Sequence, residues 1–329
     1  MTATTMKELY NHLGAVGISR KFARNVLPSW WDDEIAKEPS GFQQAQMYLS
    51  RAFNLELNSL SVAQKSPQFF VTEHKFKLNR NVSEGQVSAS AHYATAMARL
   101  ALSATKTAYT ALPEDPKTLR AKILESQLCV NLGGLLTYCT GAGIPVIHIE
   151  HMPGTKMAGV AIRLEGRYAI VLSKKAHPAY LLFHLAHEIG HIAKHHLAKD
   201  GFLADQKIGE GNRDDDADEK EADAYAIRLL NGVEIKYTAE PGAIRSGKKL
   251  FEAASHKATK VNVDVGHIIL NYGHAQGNFG MANMALKYVN GETEGGSVVN
   301  EALFKNLDSD LLSEDQLELL HRATGYSAV

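Results

Sequence analysis

The chain has 329 residues, 45% hydrophobic and 22% charged. That balance excludes a disordered chain and suits two or three modest domains. A formal net charge of −1 excludes wholesale polyanion binding as the main activity while leaving room for a local basic patch.

"MTATTMKELYNHLG" carries no apolar signal core, and no run reaches the roughly 18 apolar residues of a membrane span. A cytoplasmic protein with no membrane contact is expected. Residues 1–66 read as helical, broken at "LPSWWDDE", and Trp30 and Trp31 are expected to fill the core of this region. In "GFQQAQMYLSRAFNLELNSLSV" the apolar positions Met47, Leu49, Phe53, Leu55, Leu57 and Leu60 predict a helix, a short turn and a second helix. Residues 1–80 hold ten Lys/Arg against seven Asp/Glu. This surplus permits DNA contact through the N-terminal domain, but surface helices often carry one.

"PQFFVTEHKFKLNRNV" reads as an extended linker or short strand. The Ala-rich stretch from Ser83 to Pro113 then predicts one helix, in which His92 is a packed or surface residue. A second helix is expected from Lys117 to Tyr138, ending before "TGAGIPV". Cys129 and Cys139, ten positions apart in this reading, fall on different helical faces, so no disulfide and a reducing compartment are expected. "IPVIHIE" alternates like a strand, and "KMAGVAIRLEGRYAIVLS" predicts a hairpin about Glu165-Gly166. A small antiparallel sheet should therefore precede a helix opened by Pro178.

That helix contains "FHLAHEIGHIAKHH". His187 and His191 stand one turn apart on one face, so both imidazoles can bind one metal ion. Glu188 is turned about 100° away, placing its carboxylate for a water rather than for the metal. The apolar flanks turn the histidines toward a core, and Gly190 suits a close approach by another element. His195 and His196, near the helix end, read as surface or capping residues. His184 either lines the cleft or is buried, and is not counted as a ligand. A third ligand is sought in "DADEKEADAYAIRLL". Its apolar stripe of Ala222, Ala226, Leu229 and Leu230 includes Glu219 and Asp223, whereas Glu221 is turned to solvent. Glu219 is thus the expected ligand, with Asp223 accepting from a histidine N–H. Residues 205–223 carry nine acids against three bases, and the stretch between the two helices, "LAKDGFLADQKIGEGNRDDD", reads as a solvated loop without calcium-loop spacing.

"LAHEIGH" and "EKEADAYAIRLL" resemble the paired helix motifs of the ImmA/IrrE metallopeptidases, over about residues 117–235. The resemblance implies an α+β fold with a zincin-like core. It also implies Zn2+ held by His187, His191 and Glu219, with Glu188 as general base. Domains are expected at 1–80 (helical, with a helix-turn-helix possible), 81–235 (metallopeptidase core) and 236–329 (helical). The implied substrate is a protein, a DNA-binding repressor or antitoxin, cut in stress or mobile-element regulation. Asp223 stands where the family has asparagine, and "LLNGVEIKY" replaces its Met-Pro.

Tyr225, His184 and His148 all remain candidates for an oxyanion donor. The strand near Tyr168–Leu172 is expected to accept substrate by strand addition. The competing reading is a DNA-binding regulator whose metal domain senses without cutting. In the C-terminal region "YTAEPGAIRSGKK" marks a boundary, Ser313 and Gln316 predict a capping box, and His267 and His274 read as packing or surface residues.

Overall fold

A computed structural model describes residues 5–61, 66–70, 73–76, 84–154, 156–174, 177–205, 217–240, 242–289 and 294–327. Glu165 and Gly166 both take left-handed backbone, with φ of 51° and 75°, the conformation of a two-residue hairpin turn whose twist matches its strands. The turn joins β3 (Gly159–Leu164) to β4 (Arg167–Leu172) in antiparallel register, Gly159 opposite Leu172. β5 (Gly201–Asp205) pairs antiparallel with β3, β1 (Glu73–Phe76) runs parallel to β5, and β2 (Val146–His148) runs parallel to β4. Among the described residues the sheet order is β1-β5-β3-β4-β2. The sheet is therefore mixed, not antiparallel as expected. Hairpin signals report only the local β3–β4 pair, whereas β2, three residues long and wholly buried, is placed by a crossover.

Period-two alternation sorts the strand residues onto two faces. Val160, Ile162, Ala169 and Val171 meet one core, and Ala161, Tyr168, Ile170 and Leu172 meet another. The first core is covered by α5 (Glu84–Ser103) and the N-terminal helices α1 (Met6–Gly14), α2 (Arg20–Val26), α3 (Pro39–Phe53) and α4 (Leu57–Ser61). The second holds α6 (Pro116–Leu124), α7 (Leu132–Gly141), α8 (Pro178–Ala193) and α9 (Ala217–Asn231). α10 (Gly247–Val261), α11 (Val265–Ala275) and α12 (Phe279–Leu286) form a third core that reaches Ala179 at the start of α8. α13 (Gly295–Asn306) and α14 (Glu314–Thr324) return to the first core through Leu303, Leu320 and Ala323. Asn300 of α13 seals the outer edge of β2: its amide accepts from the His148 N–H and donates to the His148 carbonyl, both at 2.9 Å. The architecture is mixed α+β, and among the described residues no helix is long and apolar enough to cross a membrane. The expected boundary between residues 80 and 81 lies outside the described residues.

Several element ends depart from the sequence reading. The Ala-rich helix stops at Ser103, not near Pro113, because the Arg167 guanidinium gathers the carbonyls of Leu102 and Thr105 at 2.9 and 3.0 Å. The helix expected over 117–138 is two helices. The Asn131 side chain caps α7 by accepting from the Gly134 N–H at 2.8 Å. Cys129 consequently lies in the connector and Cys139 in α7, and both are free thiols. Trp30 does not fill a core: it is 49% exposed, with its indole N–H donating to Asp315. Trp31 is half-buried. The helix–turn–helix of α3 and α4 is present, turning at left-handed Asn54. The Ser313–Gln316 capping box forms at α14.

His267 is enclosed between the second and third cores. Its Nε2 accepts from the Asn231 amide at 2.9 Å, and its ring stacks on Phe183. Burial holds its imidazolium down at about 4. Since this lies below the unfolded value, protonation favours the unfolded chain, and the penalty grows as pH falls from about 6.5 toward 4. Between pH 7 and pH 5 the wild type should lose on the order of 2 kcal/mol through this group. His267→Gln should lose measurably less, and identical pH slopes in urea unfolding would contradict the assignment.

Candidate metal centre

α8 begins with Pro178 in its first turn and His177 as its cap. The His177 ring accepts from the Ala179 N–H at 3.1 Å through Nδ1 and donates to the Val289 carbonyl at 3.1 Å through Nε2. Leu181, Leu182, Leu185, Ile189 and Ile192 bury one face of α8 in the second core. α9 crosses α8 closely at Gly190. A Cβ added there would lie 3.0 Å from the Ala222 carbonyl oxygen and 3.1 Å from its Cα, so only glycine admits this crossing without a shift.

The crossing brings three side chains together. His187 Nε2 and His191 Nε2 are 3.0 Å apart, and the Glu219 carboxylate stands 3.4 Å from the first and 3.2 Å from the second. All three residues are buried, and their ligand atoms lie within 4.8 Å of one another. Glu219 Oε2 faces His187 and Oε1 faces His191. Donors about 2.0–2.1 Å from a tetrahedral ion are separated by about 3.3 Å, so both carboxylate oxygens stand at a distance that sharing an ion with the imidazole beside them requires. The group could hold a metal ion. Its outer contacts point both imidazoles inward. His187 Nδ1 donates to Asp223 at 2.9 Å. His191 Nδ1 meets His196 Nδ1 at 2.8 Å, and His196 Nε2 in turn donates to Glu221 at 3.1 Å. Burial alone would lower the His187 pKa, but the Asp223 and Glu219 carboxylates, with the charge of Glu188, outweigh it and hold the pKa at about 10. Burial takes His191 the other way, to about 4. Without a metal, His187 therefore carries the proton that bridges to His191. A cation held by these ligands displaces it.

No protein-family model matches the chain, and neither a curated protein nor a solved structure matches it.

The helical-face reasoning places Glu219 inward, 4% exposed, and leaves the Glu221 side chain half-exposed. Asp223 meets His187 as expected. Glu188 is buried beneath the first residue of β3: a Cβ at Gly159 would come 2.4 Å from its Oε1. His195 is exposed and left-handed, with φ of 57°. His196 departs from the expected surface role. The α8 terminus is a Schellman turn, His195 N–H bonding the Ile192 carbonyl and His196 N–H the His191 carbonyl, both at 3.1 Å. That turn folds the His196 ring back onto His191. Only a known helix end would have disclosed it from sequence.

The proposed oxyanion donors are mostly occupied elsewhere. Tyr225 Oη donates to the Pro113 carbonyl at 2.8 Å and His148 Nε2 to the Lys174 carbonyl at 3.0 Å. His184 is half-buried beside Phe183. β4 is paired with β3 throughout and with β2 over Ile170–Leu172, which closes that part of the strand to the substrate addition expected over Tyr168–Leu172. Residues 206–216 of the acidic run lie outside the described residues.

Metal affinity tests these roles. Glu219→Ala should abolish stoichiometric binding, while His196→Ala should weaken it roughly 10- to 100-fold through loss of orientation. Glu221→Ala should have the smallest effect. Competition against a chromophoric chelator measures all three, and a Glu221 loss exceeding the Glu219 loss would refute the ligand assignment.

Proposed function

We propose that this chain is a zinc-dependent endopeptidase that cleaves a protein substrate. The carrying observation is the buried His187–His191–Glu219 cluster with Glu188 beside it on the same helix. Two imidazoles and one carboxylate form the donor set of hydrolytic zinc sites, and their donor atoms lie within 4.8 Å of one another. When bound, zinc supplies Lewis acidity toward a scissile carbonyl and makes water acidic near neutral pH. Glu188 takes the proton of the attacking water and passes it to the departing amine. Asp223 and His196 hold the two imidazoles with their Nε2 atoms facing Glu219. The motif pair "LAHEIGH" and "EKEADAYAIRLL" supports an ImmA/IrrE-like peptidase. It also supports a DNA-binding repressor or antitoxin as the substrate, acting in stress or mobile-element regulation within the cytoplasm.

One observation favours a second reading. The ligands are closed off, with side-chain exposures of 2% for His187, 0% for His191 and 6% for Glu219, which suits a metal-sensing regulator that does not cut. Glu188 separates the two readings. Glu188→Gln should retain one zinc per chain and lose peptide cleavage by about 100-fold or more, assayed on a panel of DNA-binding repressors and antitoxins. Gly159→Ala should also keep zinc and slow cleavage by displacing the Glu188 carboxylate. Cleavage at the wild-type rate by Glu188→Gln would remove the assigned base. Zinc binding without cleavage of any candidate by the wild type would favour the sensor.

A further inference from the structure

We propose that a basic hollow between α2, the segment after it and α14 binds a nucleotide unit, either free or within a single strand of nucleic acid. The hollow has a volume of about 940 Å3, within the range that accommodates small-molecule ligands. Arg20, Lys21 and Arg24 of α2 line it together with His151 and Arg322, and no carboxylate does so among the described residues. A chain of net charge −1 does not concentrate cations by composition alone. Low-dielectric walls focus the field of such a cluster on an incoming anion.

The cations divide by role. Arg322 is structural: its guanidinium donates to the carbonyls of Asn25 and Leu27 and pairs with Glu318, tying α14 to the hollow's rim. Arg20, Lys21 and Arg24 are exposed. Arg20 stacks over the Tyr10 ring at 5.4 Å, and among the described residues none of the three is in an ion pair. Their charges are therefore available to a ligand. An adjoining recess of about 360 Å3 shares Lys21 and His151 and adds Lys156, along with one acid, Glu150. The basic surface thus continues past a single phosphate.

Phe22 and Trp31, both half-buried, also line the hollow, and Tyr93 packs against Phe22 in the core behind them, 2% exposed. Cations that follow a phosphate backbone beside aromatic faces that stack bases are the elements of single-strand recognition. A duplex reader instead inserts a projecting helix or ribbon into a groove. Here the charges surround a concavity, and α2 is seven residues long. This inference does not rest on the metal centre.

The test uses the full chain with fluorescein-labelled ten-nucleotide oligothymidylate, unlabelled AMP and ATP, and a duplex of the same length. The chain's two tryptophans, Trp30 and Trp31, both stand at this hollow or beside it and should be quenched on binding. Arg20→Gln/Lys21→Gln/Arg24→Gln should weaken strand binding at least tenfold and reduce the slope of log K against log salt by about 2. The control Lys248→Gln/Lys249→Gln/Lys257→Gln removes equal charge from exposed positions of α10 and should leave binding within twofold. Nucleotide bound as tightly as the strand identifies a free nucleotide as the ligand; strand binding alone identifies nucleic acid. Equal losses in both triple variants, tighter binding of the duplex, or no binding of any probe at low salt would overturn the proposal.

Discussion

The close crossing of α8 and α9 is the constraint on which the candidate metal centre depends. Two histidines on one turn of α8 supply a pair of nitrogen donors, but an oxygen donor must arrive from another element. Gly190 lets the α9 backbone come near enough for Glu219 to reach both imidazoles. Burying these polar groups is costly without partners, and they compensate one another through Asp223, His196 and the proton between the two Nε2 atoms. The cluster is an electrostatic balance enclosed by apolar packing, and a divalent cation fits its charge as well as its geometry.

The sheet determines where that crossing falls. A two-residue turn fixes the β3–β4 register, β3 and β4 present Ala161, Ile170 and Leu172 to α8, and α8 must then lie flat across them. Gly159, at the head of β3, leaves the room that the Glu188 side chain occupies. The hairpin thus positions the carboxylate proposed as the base, while the helix pair positions the ligands. β2 covers Ile170–Leu172 of β4 and Asn300 occupies both backbone groups of His148, so an extended chain cannot pair with the sheet at those positions.

Much of the candidate site was legible because helical periodicity is a local property. His187, His191, Glu219 and the outward turn of Glu221 all follow from about 100° per residue. The departures trace to partners distant in sequence. Arg167 ends α5 from the start of β4, more than sixty residues away in sequence, and β2 reaches β4 only by a crossover. Trp30 is held at the surface by Asp315, a residue far along the chain. His196 escaped for a different reason: its position depends on a left-handed residue at a helix end, and sequence alone does not say where a helix stops.

The packing of α14 bears on how the molecule is assembled. Leu320 and Ala323 lie in the same core as Leu9, Leu13 and Phe53, and Arg322 holds the main chain at Asn25 and Leu27. During synthesis the earliest helices must wait for one of the latest before their interior is sealed. A nascent chain lacking α14 leaves that apolar interior open, and at that stage it is a candidate for chaperone capture.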